Sequence, residues 1–130
     1  MGIIREPITI GGKLQETMLL AIFDTGADYS VIRYQLSNGQ TIDEIGVREY
    51  LPESVSILLP GETEKSDACY YDYAIFNWVE IAGVRIRNPG FVILEIGDDV
   101  LVGHEFMQNI GLQLDMKNHN VKQNGTRSTN

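Results

Sequence analysis

Cysteine occurs once in the 130 residues, at Cys69. No disulfide can form within the chain, and this usage predicts a reducing compartment such as the cytoplasm. No apolar run approaches the roughly eighteen residues that a membrane-spanning helix requires. The opening MGIIREPITIGG has neither the apolar stretch nor the small-residue cleavage pattern of a secretory leader. Glu6 stands where a myristoylation signal wants Ser or Thr. Basic residues are few: ten Lys and Arg against eighteen Asp and Glu, a net charge of −8. They form no stripe, which argues against a nucleic-acid partner. The two histidines, His104 and His119, lie in unlike surroundings. No serine–histidine–aspartate pattern and no converging set of metal ligands is legible, so no metal or cofactor is expected.

The acid is unevenly spread. Across residues 43–72 eight carboxylates stand against Arg48 and Lys65 alone, so this stretch carries −6 of the net −8. A solvated face is the plain reading. The length suits one domain with one core and leaves no room for a second.

Short apolar runs with regular Gly and Pro breaks fill most of the chain. Ile8-Thr9-Ile10 leads into the turn Gly11-Gly12 and a second strand over 14–23. Val31-Ile32, Val55 with Ile57 and Leu59, and Cys69 with Tyr71 and Tyr73 continue the strand pattern. Runs at 74–81, 84–87 and 91–96 are separated by Ala82-Gly83 and Asn88-Pro89-Gly90, and Val100-Leu101-Val102 reads as a buried strand. The pattern predicts an all-β barrel or sandwich. One short helix fits 104–110, with Gly111 as its C-cap. Residues 41–50 fit either a short helix or a strand. Asp98-Asp99 reads as a turn. The domain therefore spans 1–116, and the polar remainder 117–130 reads as a disordered tail.

The chemistry centres on residues 22–32, IFDTGADYSVI. The apolar Leu19-Leu20-Ala21-Ile22-Phe23 reads as a strand buried on both faces, which delivers Asp24 to a partly dry place. Thr25 brings a hydroxyl that donates and accepts. Gly26 permits backbone geometry that other residues resist, and Ala27 permits close approach of another segment. On the tripeptide alone two readings stand level: an Asx turn joining two strands, or a loop that presents a carboxylate for catalysis.

Over residues 5–115 the sequence resembles the retroviral-type aspartic proteases, the retropepsins. Ile10-Gly11-Gly12-Lys13-Leu14 looks like their first hairpin and Asp24-Thr25-Gly26-Ala27-Asp28 like their active-site loop. Val79-Glu80-Ile81-Ala82-Gly83 looks like the strand and turn beyond their flap. Leu101-Val102-Gly103, then His104-Glu105-Phe106-Met107 and Ile110-Gly111-Leu112, looks like the strand and helix that close the fold. The resemblance implies a small closed all-β acid-protease barrel with one short C-terminal helix, acting as a homodimer.

It also implies an aspartic endopeptidase acting on a peptide or protein substrate. Such enzymes need two carboxylates sharing one proton, and this chain has a single Asp-Thr-Gly. The second carboxylate would be Asp24 of another copy, meeting the first on a two-fold axis. By the same resemblance Thr25 braces the two loops across that axis and Gly26 offers its carbonyl to substrate backbone. Ala27 and Asp28 bind substrate further out. A flap hairpin over 55–71 would bring Pro60, Gly61 and Glu62 to the substrate; the turn Ser37-Asn38-Gly39-Gln40 is the other candidate. An acidic flap would favour basic substrate residues or an acidic optimum.

The sequence departs from the family at His104-Glu105, where retropepsins place Arg and then Asp or Asn. Asp28 would then turn to Arg5 or to a protonated His104, unless His104 is only a surface residue at the start of a helix. The short N-terminus and polar C-terminus leave the dimer contacts at the chain ends open. A retropepsin-like fold serving as a peptide-binding or dimerisation module without useful catalysis is the alternative.

Overall fold

A computed structural model describes residues 3–55 and 69–123. Strands β1 (Ile3–Gly11) and β2 (Glu16–Asp24) form a long antiparallel hairpin with Ile3 opposite Asp24 and Gly11 opposite Glu16. At its turn the Gly12 N–H donates to the Gln15 carbonyl at 2.9 Å. A side chain at Gly12 would lie 2.3 Å from the carbonyl oxygens of Ile45 and Gly46, so only glycine lets the hairpin end dock there.

The chain continues through β3 (Val31–Ile32), α1 (Ile42–Ile45) and β4 (Glu49–Val55). Then follow β5 (Cys69–Ile75), β6 (Trp78–Ile81), β7 (Val84–Arg87), β8 (Gly90–Ile93) and β9 (Val100–Gly103). The last elements are α2 (His104–Ile110), β10 (Leu112–Asp115) and β11 (Asn120–Gln123). Among the described residues nine strands make one sheet in the order β4-β5-β8-β3-β9-β2-β1-β6-β7, and β10 and β11 form a separate pair. The large sheet curls into a half-barrel whose ends, β4 and β7, lie at opposite edges of that order. This corrects the closed barrel expected from the sequence, and a four-residue α1 joins the single helix expected.

β9 lies between β2 and β3, parallel to the first and antiparallel to the second. Its alternate side chains serve two clusters. Val100 and Val102 join the main core with Phe23, Phe76, Phe91 and Ile32, while Leu101 joins Ile22, Ala27, Val31 and Val92 on the other face. β2 is covered on both faces only near its end. Leu19, Ala21, Ile22 and Phe23 are buried, but Leu20 is 51% exposed, because β9 pairs with β2 only from Ala21 onward.

Several local expectations hold and several shift. α2 occupies 104–110 and Gly111 caps it at φ 75. The ambiguous 41–50 stretch divides into helix and strand. The run at 74–81 breaks at Phe76-Asn77, where the Phe76 N–H turns to the Pro89 carbonyl at 3.0 Å and that of Asn77 to Gly11 at 3.0 Å. The strand expected over 91–96 ends at Ile93. The polar tail departs most: Asn120–Gln123 pairs with Leu112–Asp115, Val121 is buried, and the Val121 N–H donates to Glu6 Oε2 at 3.0 Å. One buried apolar side chain and one carboxylate acceptor tie this segment to the rest of the fold. Among the described residues no helix is long and apolar enough to cross a membrane.

Candidate active site

Because β2 and β9 run parallel, the chain leaves both at the same end, with Asp24 beside Gly103. Asp24 is half-buried there. Its Oδ1 accepts the Gly26 N–H at 2.8 Å, and its carbonyl accepts the Ala27 N–H at 3.1 Å. The loop is an Asx turn, and that turn fixes the carboxylate. The turn reading of the tripeptide holds.

The loop is held from outside by backbone. The Ala27 carbonyl accepts the His104 N–H at 2.7 Å, which satisfies a donor at the start of α2. The Gly103 N–H donates to Ser30 Oγ at 3.0 Å, in a buried setting. A Cβ at Gly103 would lie 2.7 Å from the Tyr29 carbonyl oxygen and 2.9 Å from that of Ala27, so the end of β9 presses directly on the loop. Ser30 was not singled out from the sequence. Its position one residue before a buried strand is the signal that could have marked it.

Thr25 lines a cleft of about 280 Å³ with His104, Met107, Leu112 and Leu114. Asp28 lines another of about 140 Å³ with Tyr29, Ser30, Tyr73, Glu105 and Asn109. Asp24, Thr25, Gly26, Ala27 and Asp28 therefore cluster where β2, β9 and α2 meet. Arg5 reaches Asp98, its Nε donating to Oδ1 at 3.1 Å. His104 is exposed at the first turn of α2.

Asp99 is more than part of a turn. It is 7% exposed, accepts the Ser37 N–H at 2.8 Å and the Ser37 hydroxyl at 2.6 Å, and lies 3.8 Å from Arg33 Nη1. The turn Ser37-Asn38-Gly39-Gln40 is thereby anchored at its base. It is closed by the Gly39 N–H to the Leu36 carbonyl at 3.0 Å and the Gln40 N–H to Asn38 Oδ1 at 2.9 Å.

β4 and β5 pair antiparallel with Val55 opposite Cys69. The body of the hairpin expected over 55–71, with Pro60, Gly61 and Glu62, lies outside the described residues. Among the described residues no group of three or more His, Cys, Asp or Glu side chains could hold a metal ion.

No family model matches the sequence, and no curated protein does. The fold is similar to the crystal structure of the retroviral protease-like domain of Ddi1 from Leishmania major, with a TM-score of 0.50 and 17% identity over 94% of this chain and 93% of that one. At that identity the likeness concerns the fold, which is retropepsin-like.

Proposed function

We propose that the chain is an aspartic endopeptidase that works as a homodimer, each subunit contributing Asp24 to one site. The observation that carries this reading is the Asp24 carboxylate, gripped by the Gly26 N–H where two parallel strands end side by side. One such loop per chain makes half of a two-carboxylate site.

Two carboxylates a few ångströms apart cannot both ionise, so one Asp24 stays an acid while the other acts as base. The base takes a proton from water as the water oxygen bonds to the peptide carbonyl carbon. The acid gives its proton to the carbonyl oxygen, so the tetrahedral intermediate forms without a free charge. The intermediate collapses when the nitrogen takes a proton and the C–N bond breaks, which leaves a carboxylic acid and an amine. The pair, not either residue, owns the titration. Thr25 braces the two loops. Gly26, Ala27 and Asp28 hold the substrate's main chain.

Digestion of a peptide library across pH 3–7 tests the reading, with Asp24→Asn as control and a transition-state-mimicking inhibitor as probe. Cleavage that is lost in the variant and blocked by the inhibitor supports it. Inhibitor binding without turnover would instead leave a peptide-binding module. Sedimentation checks the dimer: a strictly monomeric active species would sink the shared site.

A further inference from the structure

A third cleft lies at the root of the β4–β5 pair. It measures about 390 Å³, and its lining includes Tyr34, Asp43, Tyr50, Asp72 and the apolar Pro52 and Ile93. Register fixes which way it opens. Tyr73 and Val92, which face each other, belong to the cluster around Ala27; Ala74 and Phe91 belong to the main core. Side chains alternate along a strand. Tyr50, opposite Ala74, Asp72 and Ile93 therefore share the side of the sheet opposite to the candidate active loop.

Two tyrosines from different elements converge on one carboxylate there. The Tyr34 hydroxyl donates to Asp43 Oδ2 at 2.7 Å and the Tyr50 hydroxyl to Asp43 Oδ1 at 2.5 Å. Both tyrosines stay substantially exposed, at 41% and 44%, so their rings remain open to a ligand. The two phenol donors, Tyr50 first, hold the Asp43 carboxyl below the usual range. Each carboxylate oxygen still has a second lone pair. Asp72 adds a second acid on the same face, and no Lys or Arg is among the described residues that line the cleft.

We propose that this cleft is a binding site for a cationic side chain, arginine above lysine, presented by another polypeptide. Each part of the cleft suits such a group. Aromatic rings attract a cation placed over their faces, and a planar guanidinium can stack there while donating to a carboxylate. Pro52, opposite Asp72 in the register, and Ile93 give the aliphatic stem an apolar floor. Tyr50 and Asp72 stand on the two strands that lead to the expected flap, so an occupied cleft would tie those strands to α1. The proposal does not depend on the protease reading.

NMR titration of the full chain with the capped tripeptide Ala-Arg-Ala tests it, against the same peptide with citrulline, which keeps the shape and removes the charge. Saturable shifts of the Tyr34 and Tyr50 ring resonances with arginine, smaller ones with lysine and none with citrulline are expected. Asp43→Asn should weaken binding about tenfold or more. Asp72→Asn, at an exposed position that leaves the tyrosine contacts intact, should weaken it roughly threefold. Shifts that fail to saturate, that are equal for citrulline, or that survive unchanged in Asp72→Asn overturn the proposal, and the last criterion holds even if Asp43→Asn does not fold.

Discussion

Asp24 and Asp99 flank the same strand: Asp99 immediately precedes β9, and Asp24 lies beside its last residue, Gly103. Their surroundings differ in kind. Asp99 is almost sealed, and its donors come from Ser37, sixty-two residues away, with the Arg33 guanidinium beside it. Asp24 is half-open, and its hydrogen bond comes from Gly26, two residues on in its own loop. A carboxylate that ties distant segments together is part of the fold. A carboxylate set by its own turn keeps its orientation while remaining half-open to solvent. The same side chain, on the same strand pair, thus sits in two opposite settings.

The sharpest way to break the contrast is Asp24→Asn. Peptide hydrolysis should fall on the order of 10⁴-fold in kcat/KM, while denaturant unfolding shifts by less than about 0.5 kcal/mol. A large loss of stability would mean that Asp24 is structural after all. Asp99→Ala should do the reverse. It should cost roughly 2–4 kcal/mol in urea unfolding, because buried donors and the Arg33 guanidinium lose their acceptor, with kcat of the folded protein little changed.

Gly103→Ala sits between the two. Its added methyl meets the Tyr29 and Ala27 carbonyl oxygens, so it should cost about 1–3 kcal/mol and also lower activity by moving the loop. Ser37→Ala, which removes one of the two bonds from residue 37 to Asp99, should cost about 1 kcal/mol, read in the same unfolding assay.

The smallest effect belongs to the exposed tyrosine pair. Asp43 has a folded pKa below its unfolded value, so its contribution is present above the unfolded carboxylate range and lost as pH falls through the folded pKa. Tyr50 is shifted upward, by burial first and then by Asp43. Its contribution is present below the ordinary tyrosine pKa of about 10 and lost as pH rises beyond it. Tyr50→Phe should therefore destabilise by less than about 1 kcal/mol near neutrality, with the difference shrinking on acidification below about pH 4.

Much of the fold was legible because its signals are local. The Gly11-Gly12, Ala82-Gly83 and Gly111 positions punctuate the chain through backbone geometry that the residue itself determines. Their neighbours show it: Ala82 at φ 51 and Gly83 at φ 79 form the β6–β7 turn. The Asp24 loop was legible for the same reason, since its hydrogen bond spans two residues. Asp99 was not, because nothing near it in sequence announces Ser37 or Arg33 as partners. Leu20 misled because a continuous apolar run does not record where the neighbouring strand stops. The 117–123 stretch misled because average polarity hides a single Val121 that finds a place beside β1.

One consequence follows from the position of β9. It is inserted between β2 and β3 although six described elements, α1 and β4 to β8, separate that pair from it along the chain. A polypeptide still emerging from a ribosome, with everything before residue 100 already outside, has no wall against which its aspartate loop can settle. Long-range pairings of this kind form slowly and late, so the order of synthesis itself delays the settling of the loop until residues 100–103 have been delivered.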